Sequence, residues 1–148
     1  TTSPFGDAFT SVLLTPAAVL DTSVKEVDSP LILQSPIGWS IDLWNTGNLS
    51  TTATLTDTLP PFTTVLTDTL WLNGTLAPQL YVAGQIRWSG MVTDGEHISI
   101  TYQLSPTLPL APGTTLTNTA VIAYDDHVIT RTARTTQPYQ AFLPVILR

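Results

Sequence analysis

Lys25 is the only lysine in the chain, and two other polar residues are turned by strand periodicity toward the side that should be buried. Across Thr51 to Leu59, alternation puts Ala53, Leu55, Asp57 and Leu59 on one side and Thr52, Thr54, Thr56 and Thr58 on the other, because successive side chains of a strand point to opposite faces. The same rule places Asn118 with Leu116, Ala120 and Ile122. Lys25 shares a side with Val19 and Val27, in a segment whose alternation is poor. An amine, a carboxamide and a carboxylic acid in an apolar interior can react with one another. A desolvated, neutral lysine attacks the asparagine carbonyl carbon, a protonated carboxyl group beside it polarises the carbonyl, and ammonia leaves. The expectation is an amide between Lys25 and Asn118 with Asp57 as the proton-shuttling acid, or Glu96 in its place. The competing expectation is that Asp57 caps the turn before Pro60, Asn118 bonds to adjacent backbone and Lys25 is solvated, since Asx side chains near turns commonly bond to backbone.

Other chemistry is less well supplied. Ala18 to Val24 contains Asp21-Thr22-Ser23 behind apolar residues, which looks like the loop of aspartic proteases, where two carboxylates share one proton. Asp-Thr recurs at Asp57-Thr58 and Asp68-Thr69 in a chain holding 27 threonines, and no Ile-Ile-Gly segment follows, so an aspartic-type hydrolase is only a remote alternative. No Gly-x-Ser-x-Gly elbow is present. His97 and His127 lie far apart without clustered ligands, and Asp125-Asp126 has the chemistry of a hairpin turn; no metal, no cofactor and no catalytic residue is expected. Trp44, outward by parity, with Trp71 and Tyr81 in an irregular stretch, could line a sugar-binding strip. Carbohydrate binding is therefore the main alternative function.

The elements that must position these groups are strands. The chain is 43% hydrophobic yet only 11% charged, and threonine supplies the polarity, which favours the half-buried surface of a sheet. The predicted strands are Val19 to Val27, Ile37 to Asn45, Thr51 to Leu59, Thr63 to Leu72, Gln85 to Ser89, His97 to Ser105, Thr115 to Tyr124 and Val128 to Thr136. Between them lie Asp28-Ser29-Pro30, Thr46-Gly47-Asn48, Pro60-Pro61, Asn73-Gly74, Thr93-Asp94-Gly95, Pro109 to Gly113 and Asp125-Asp126, all turn chemistry. Seven to eight short antiparallel strands without any sustained helical period predict an all-β sandwich. Its core is expected to hold Trp39, Ile41, Trp88, Ile98, Ile100, Ile122 and Tyr124, with His97 at the surface. Residues 1–15 read as an irregular lead-in, 16–137 as the sandwich, and 138–148 as an apolar tail.

A net charge of −6 with five Lys and Arg leaves little to neutralise a phosphate backbone or an anionic bilayer, so neither nucleic acid nor an acidic membrane is expected as a partner. No apolar run is long enough for membrane insertion. Cysteine is absent, which removes disulfides and thiolate sites without fixing a compartment. A chain that starts at Thr1 reads as a processed product or a piece of something longer.

Three motifs carry a resemblance. Leu43-Trp44-Asn45-Thr46-Gly47, followed by Leu55-Thr56-Asp57-Thr58-Leu59-Pro60, and later Thr117-Asn118-Thr119-Ala120-Val121, are similar in order and spacing to the conserved-repeat domain of prokaryotic surface proteins. That family is an immunoglobulin-like module of unassigned function in which a strand ending in Asn-x-Gly leads to Asp-x-Leu-Pro. The likeness spans residues 17 to 125 and includes Trp39 to Gly47, Gln85 to Trp88 and Gly95 to Tyr102. It departs at Trp71 to Ala83, which is longer and less regular, and at the tail. The resemblance implies an immunoglobulin-like sandwich, an extracellular or cell-surface location, a spacer or adhesive role, and no enzyme. It implies as partners the neighbouring domains of the same exported protein or other surface components, with polysaccharide as the alternative. Pilin-like and adhesin domains form internal Lys–Asn isopeptide bonds, and a first-strand Lys with a late-strand Asn are typical positions, as Lys25 and Asn118 are here.

Overall fold

Frequent β-branched residues favour extended backbone along the chain, and ten strands form among the described residues. In order they are β1 (Val24–Asp28), β2 (Ile37–Trp44), β3 (Thr51–Thr58), β4 (Thr63–Leu72), β5 (Thr75–Leu76), β6 (Tyr81–Val82), β7 (Gln85–Val92), β8 (His97–Pro106), β9 (Thr115–Tyr124) and β10 (His127–Thr136). The structure, a computed structural model, describes residues 14–28 and 36–139. The Ser29-Pro30 turn, most of the lead-in and most of the apolar tail lie outside those residues. Two five-stranded antiparallel sheets result, ordered β1-β2-β8-β4-β5 and β10-β9-β3-β7-β6. β5 and β6 are two-residue arms, so the eight longer strands carry the all-β sandwich that the turn spacing predicts, in the immunoglobulin-like form that the resemblance implies.

Each sheet turns its alternate residues inward. Trp39, Ile41 and Leu43 of β2 and Ile98, Ile100, Tyr102 and Leu104 of β8 face Leu55 of β3 and Leu116, Ala120 and Ile122 of β9 across the core. Asn73-Gly74 turns β4 into β5 with both residues at positive φ, +49° and +75°, the left-handed pair that a tight hairpin requires. Trp88 departs from expectation. It points inward by parity but is only half-buried, because its strand is flanked on one side by nothing longer than β6.

The first strand also starts later than its apolar pattern suggests. Leu20 and Ser23 close a turn, Ser23 N to Leu20 O at 3.0 Å, and β1 begins only at Val24. The segment before it is held from outside. Asn45 Oδ1 accepts from Val19 N and Gly47 N at 3.1 Å each, and its Nδ2 donates to Leu49 O at 2.7 Å and Val92 O at 3.1 Å. Gly47 lies so close that a Cβ there would come within 2.1 Å of the Ala17 carbonyl oxygen. The Asn-x-Gly motif is thus a buried amide that ties three chain segments together, with a glycine where no side chain fits.

Arg131 of β10 fastens the same region at the sandwich edge. Its Nε donates to the Ser23 carbonyl at 2.6 Å and its Nη2 to that of Asp21. β1 therefore pairs with β2 in one sheet while its preceding turn is pinned to the other.

Candidate functional site

Lys25, Asp57 and Asn118 come together inside the sandwich. β1 and β8 bring Lys25 and Tyr102 from the first sheet; β3 and β9 bring Asp57 and Asn118 from the second. Asp57 lies opposite Ala120, two residues from Asn118 on the same face, and such diagonal neighbours are within side-chain reach. Lys25 Nζ is 2.7 Å from Asp57 Oδ2 and 2.9 Å from the Tyr102 hydroxyl, with both side chains of the ion pair sealed from solvent. Asn118 Nδ2 donates to the Tyr102 oxygen at 2.7 Å, and the Tyr102 hydroxyl donates to Asp57 Oδ2. Lys25 Nζ and Asn118 Nδ2 therefore touch one phenol oxygen.

The surroundings are apolar and aromatic. The ammonium sits 5.6 Å from the Trp39 ring centre and 5.4 Å from that of Tyr102. Burial pulls the lysine below its ordinary pKa, outweighing the charge and hydrogen bond of Asp57, which raise it. Burial pushes the Tyr102 phenol well above its ordinary value, and the Asp57 charge pushes it further, so this group stays a hydroxyl.

Hydrogen-bond counting adds a chemical constraint. Asp57 Oδ1 and Asn118 Oδ1 are buried acceptors without partners among the described residues, although buried polar groups are nearly always satisfied. As an ammonium, Lys25 has three protons and two partners. Moving one proton from Nζ to Asp57 Oδ1 leaves an amine that donates both of its N–H groups and keeps a free lone pair. In that state an amine, a carboxylic acid and a carboxamide would surround one phenol.

Glu96 does not join this cluster. Its carboxylate accepts from Thr93 N at 2.7 Å and Thr93 Oγ1 at 2.9 Å in the turn before β8, and those bonds lower its pKa. Asp21 sits in an exposed turn and accepts from the Tyr124 hydroxyl at 3.3 Å. The competing placements also differ from the geometry: Asp57 bonds to side chains and caps no turn, Asn118 bonds to the Tyr102 hydroxyl and not to adjacent backbone, and Lys25 is buried. Tyr102, the hub of the cluster, is not among the candidate site residues that the sequence points to. Its strand alternation with Ile98 and Ile100 puts it on the buried face but carries no sign of the polar company of the hydroxyl.

The aromatic candidates divide. Trp44 and Trp71 are 42% and 41% exposed and share the outer face of the first sheet, since Trp44 pairs with outward His97 and Trp71 with outward Thr101. Trp44 stacks on His97 with centroids 4.0 Å apart, and His97 Nε2 lies 2.8 Å from Asp42 Oδ1. Trp71 walls a shallow groove of about 410 Å³ with Asp28, Gly38, Ser40, Thr101 and Gln103. Tyr81 is elsewhere. It lies on β6 of the second sheet and packs against the core, so it does not extend the strip.

The class defined by this architecture is the two-sheet, immunoglobulin-like sandwich. Among solved structures the chain is similar to BslA, a bacterial hydrophobin, with 14% identity over 84% of this chain and 99% of that one at a TM-score of 0.58. It is similar to BcpA, the major pilin subunit of Bacillus cereus, with 13% identity over 78% of this chain and 39% of that one at 0.55. A third is the collagen-binding subdomain ACE19 of the Enterococcus faecalis surface protein ACE, with 10% identity over 82% and 97% at 0.52. The chain thus spans well under half of the pilin. At such identities the likeness is one of fold. No family model matches the chain, the surface-repeat family included, and no curated protein matches by sequence.

Proposed function

We propose that the protein is a non-catalytic structural or adhesive module of an exported prokaryotic surface protein, locked by an internal amide between Lys25 and Asn118 with Asp57 as the acid. The observation that carries this reading is the convergence of all three side chains on one buried hydroxyl. The fold likeness to a pilin subunit and an adhesin subdomain supports placing it outside the cell, among neighbouring domains or surface components. Such an amide would join the two sheets and route tension from position 25 straight to position 118. A module that resists stretching follows from that connectivity.

Single-molecule pulling between the chain ends tests it. The 92 residues between the two positions should stay shielded, leaving the wild type roughly 300 Å shorter at full extension than Asn118→Ala, at about 3.3–3.6 Å per residue. Equal lengths would refute the lock.

The second reading, adhesion to a polysaccharide, is favoured by one observation: two exposed tryptophans on the same outer sheet face, one of them walling a groove with hydroxyl, amide and carboxylate groups. Aromatic faces with a few polar groups suit sugar rings. Retardation of the protein in gels containing neutral polysaccharide, lost in Trp71→Ala, would support it; unchanged mobility across a panel of such polymers would sink it.

A further inference from the structure

Building on the cross-link reading above, we propose that Tyr102 is itself catalytic: its hydroxyl carries the proton that lets Asn118 Nδ2 depart as ammonia. An amide nitrogen does not leave as its anion, so Nδ2 must gain a proton before the Cγ–Nδ2 bond breaks. The group touching Nδ2 is the Tyr102 hydroxyl, at 2.7 Å, and no bond joins Nδ2 to Asp57. The same oxygen touches the nucleophile, Lys25 Nζ, at 2.9 Å. One phenol therefore bridges the nitrogen that must lose a proton and the nitrogen that must gain one.

The steps balance. Neutral Lys25 Nζ attacks Cγ, the carbonyl electron pair moves onto Oδ1, and Oδ1 takes the proton of the Asp57 carboxyl group. The attacking nitrogen now carries one proton too many, and Nδ2, no longer conjugated, has a basic lone pair. The Tyr102 O–H swings from Asp57 to Nδ2 and delivers its proton, while the phenol oxygen receives one from Nζ. The Cγ–Nδ2 bond breaks with its electron pair leaving on ammonia, the carbonyl re-forms, and the Oδ1 proton returns to Asp57. Tyrosine and aspartic acid end as they began; the products are one amide and one ammonia. A hydroxyl whose burial opposes ionisation suits a relay that exchanges protons without becoming a phenolate.

The test follows ammonia loss in time. Chain made by cell-free translation is quenched in denaturant at intervals and its intact mass read, with circular dichroism reporting folding. Tyr102→Phe keeps the ring and removes the relay. It should fold yet cross-link at least about 100-fold more slowly than wild type, the usual scale of a positioned acid–base group. Cross-linking of folded Tyr102→Phe at the wild-type rate would overturn the proposal. Should that variant fail to fold, fluorotyrosine placed at position 102 alters phenol acidity at nearly constant shape. A rate that moves with fluorination is expected, and one indifferent to it would overturn the proposal. Failure of the wild type to lose ammonia would instead remove the cross-link reading itself, and with it the role of Tyr102.

Discussion

Asn45 and Asn118 are both buried, at 1% and 0% exposure, and they are used in opposite ways. Asn45 spends its full bonding capacity on backbone, with two bonds accepted and two donated across three segments. Asn118 makes one bond through Nδ2 and leaves Oδ1 with nothing. A saturated amide is held in place and is chemically quiet. In the proposed cross-link the undersupplied amide is the reactant: its carbonyl oxygen has no partner to displace, and its Nδ2 shares the Tyr102 oxygen with the Lys25 nitrogen. Residue type and burial alone do not separate a clamp from a reactant; the hydrogen-bond balance does.

The largest expected effect comes from removing the nucleophile. Lys25→Met abolishes the cross-link, which closes a loop whose entropic worth by analogy with a disulfide of about 100 residues is roughly 4–5 kcal/mol, and it removes the nitrogen beside the buried Asp57 carboxyl, a further cost of about 1–3 kcal/mol for an unsatisfied buried group. Urea denaturation should find this variant largely unfolded. Asn118→Ala loses the cross-link but keeps the Lys25 nitrogen beside Asp57, so its loss should stay near the first figure. A drop under about 1 kcal/mol would argue that no loop was closed.

Asn45→Ala sharpens the contrast from the other side. It strips partners from two backbone donors and two carbonyls, a destabilisation of about 3 kcal/mol or more, while its intact mass should still fall one ammonia short. Finding the full unmodified mass in folded Asn45→Ala would mean the two asparagines are not independent.

A smaller effect separates the two states of Lys25. In Asn118→Ala the amine persists with its pKa held below 10.5 by burial. The folded form then binds fewer protons than the unfolded one in the window just below 10.5, so stability should rise with pH there. Above about 10 the raised Tyr102 pKa works the other way, because the unfolded phenol ionises first. In the cross-linked wild type the nitrogen is an amide and the lysine rise should be missing. Identical pH profiles from urea titrations would contradict this. The smallest effect is expected for Trp71→Ala, within about 0.5 kcal/mol of wild type in stability.

The sequence exposed the strands and the faces, and its blind spots have physical causes. Alternation in Thr51 to Leu59 and Thr115 to Tyr124 was enough to turn Asp57 and Asn118 inward, since parity is local. Trp71 was not assignable that way: counted from Val65 it would face the core, but the register shift between Leu66 and Trp71 reverses it and buries Leu70 instead. Thr69 stabilises that irregularity by donating to the Leu66 carbonyl at 2.7 Å and accepting from Gln103 N at 2.9 Å. The roles of Tyr102 and Asn45 stayed hidden for another reason. Their partners lie far along the chain, Lys25 across the sandwich for one and Val19 and Val92 for the other, and one-dimensional periodicity carries no information about which polar tips meet.

The most direct measurement is the intact mass of the purified wild-type chain under denaturing conditions. The account predicts a mass one ammonia below that calculated from the sequence, restored to the full value by Lys25→Ala or Asn118→Ala. A wild-type chain of unmodified mass would contradict it, and would leave Lys25, Asp57, Tyr102 and Asn118 as a buried polar network with a purely structural role.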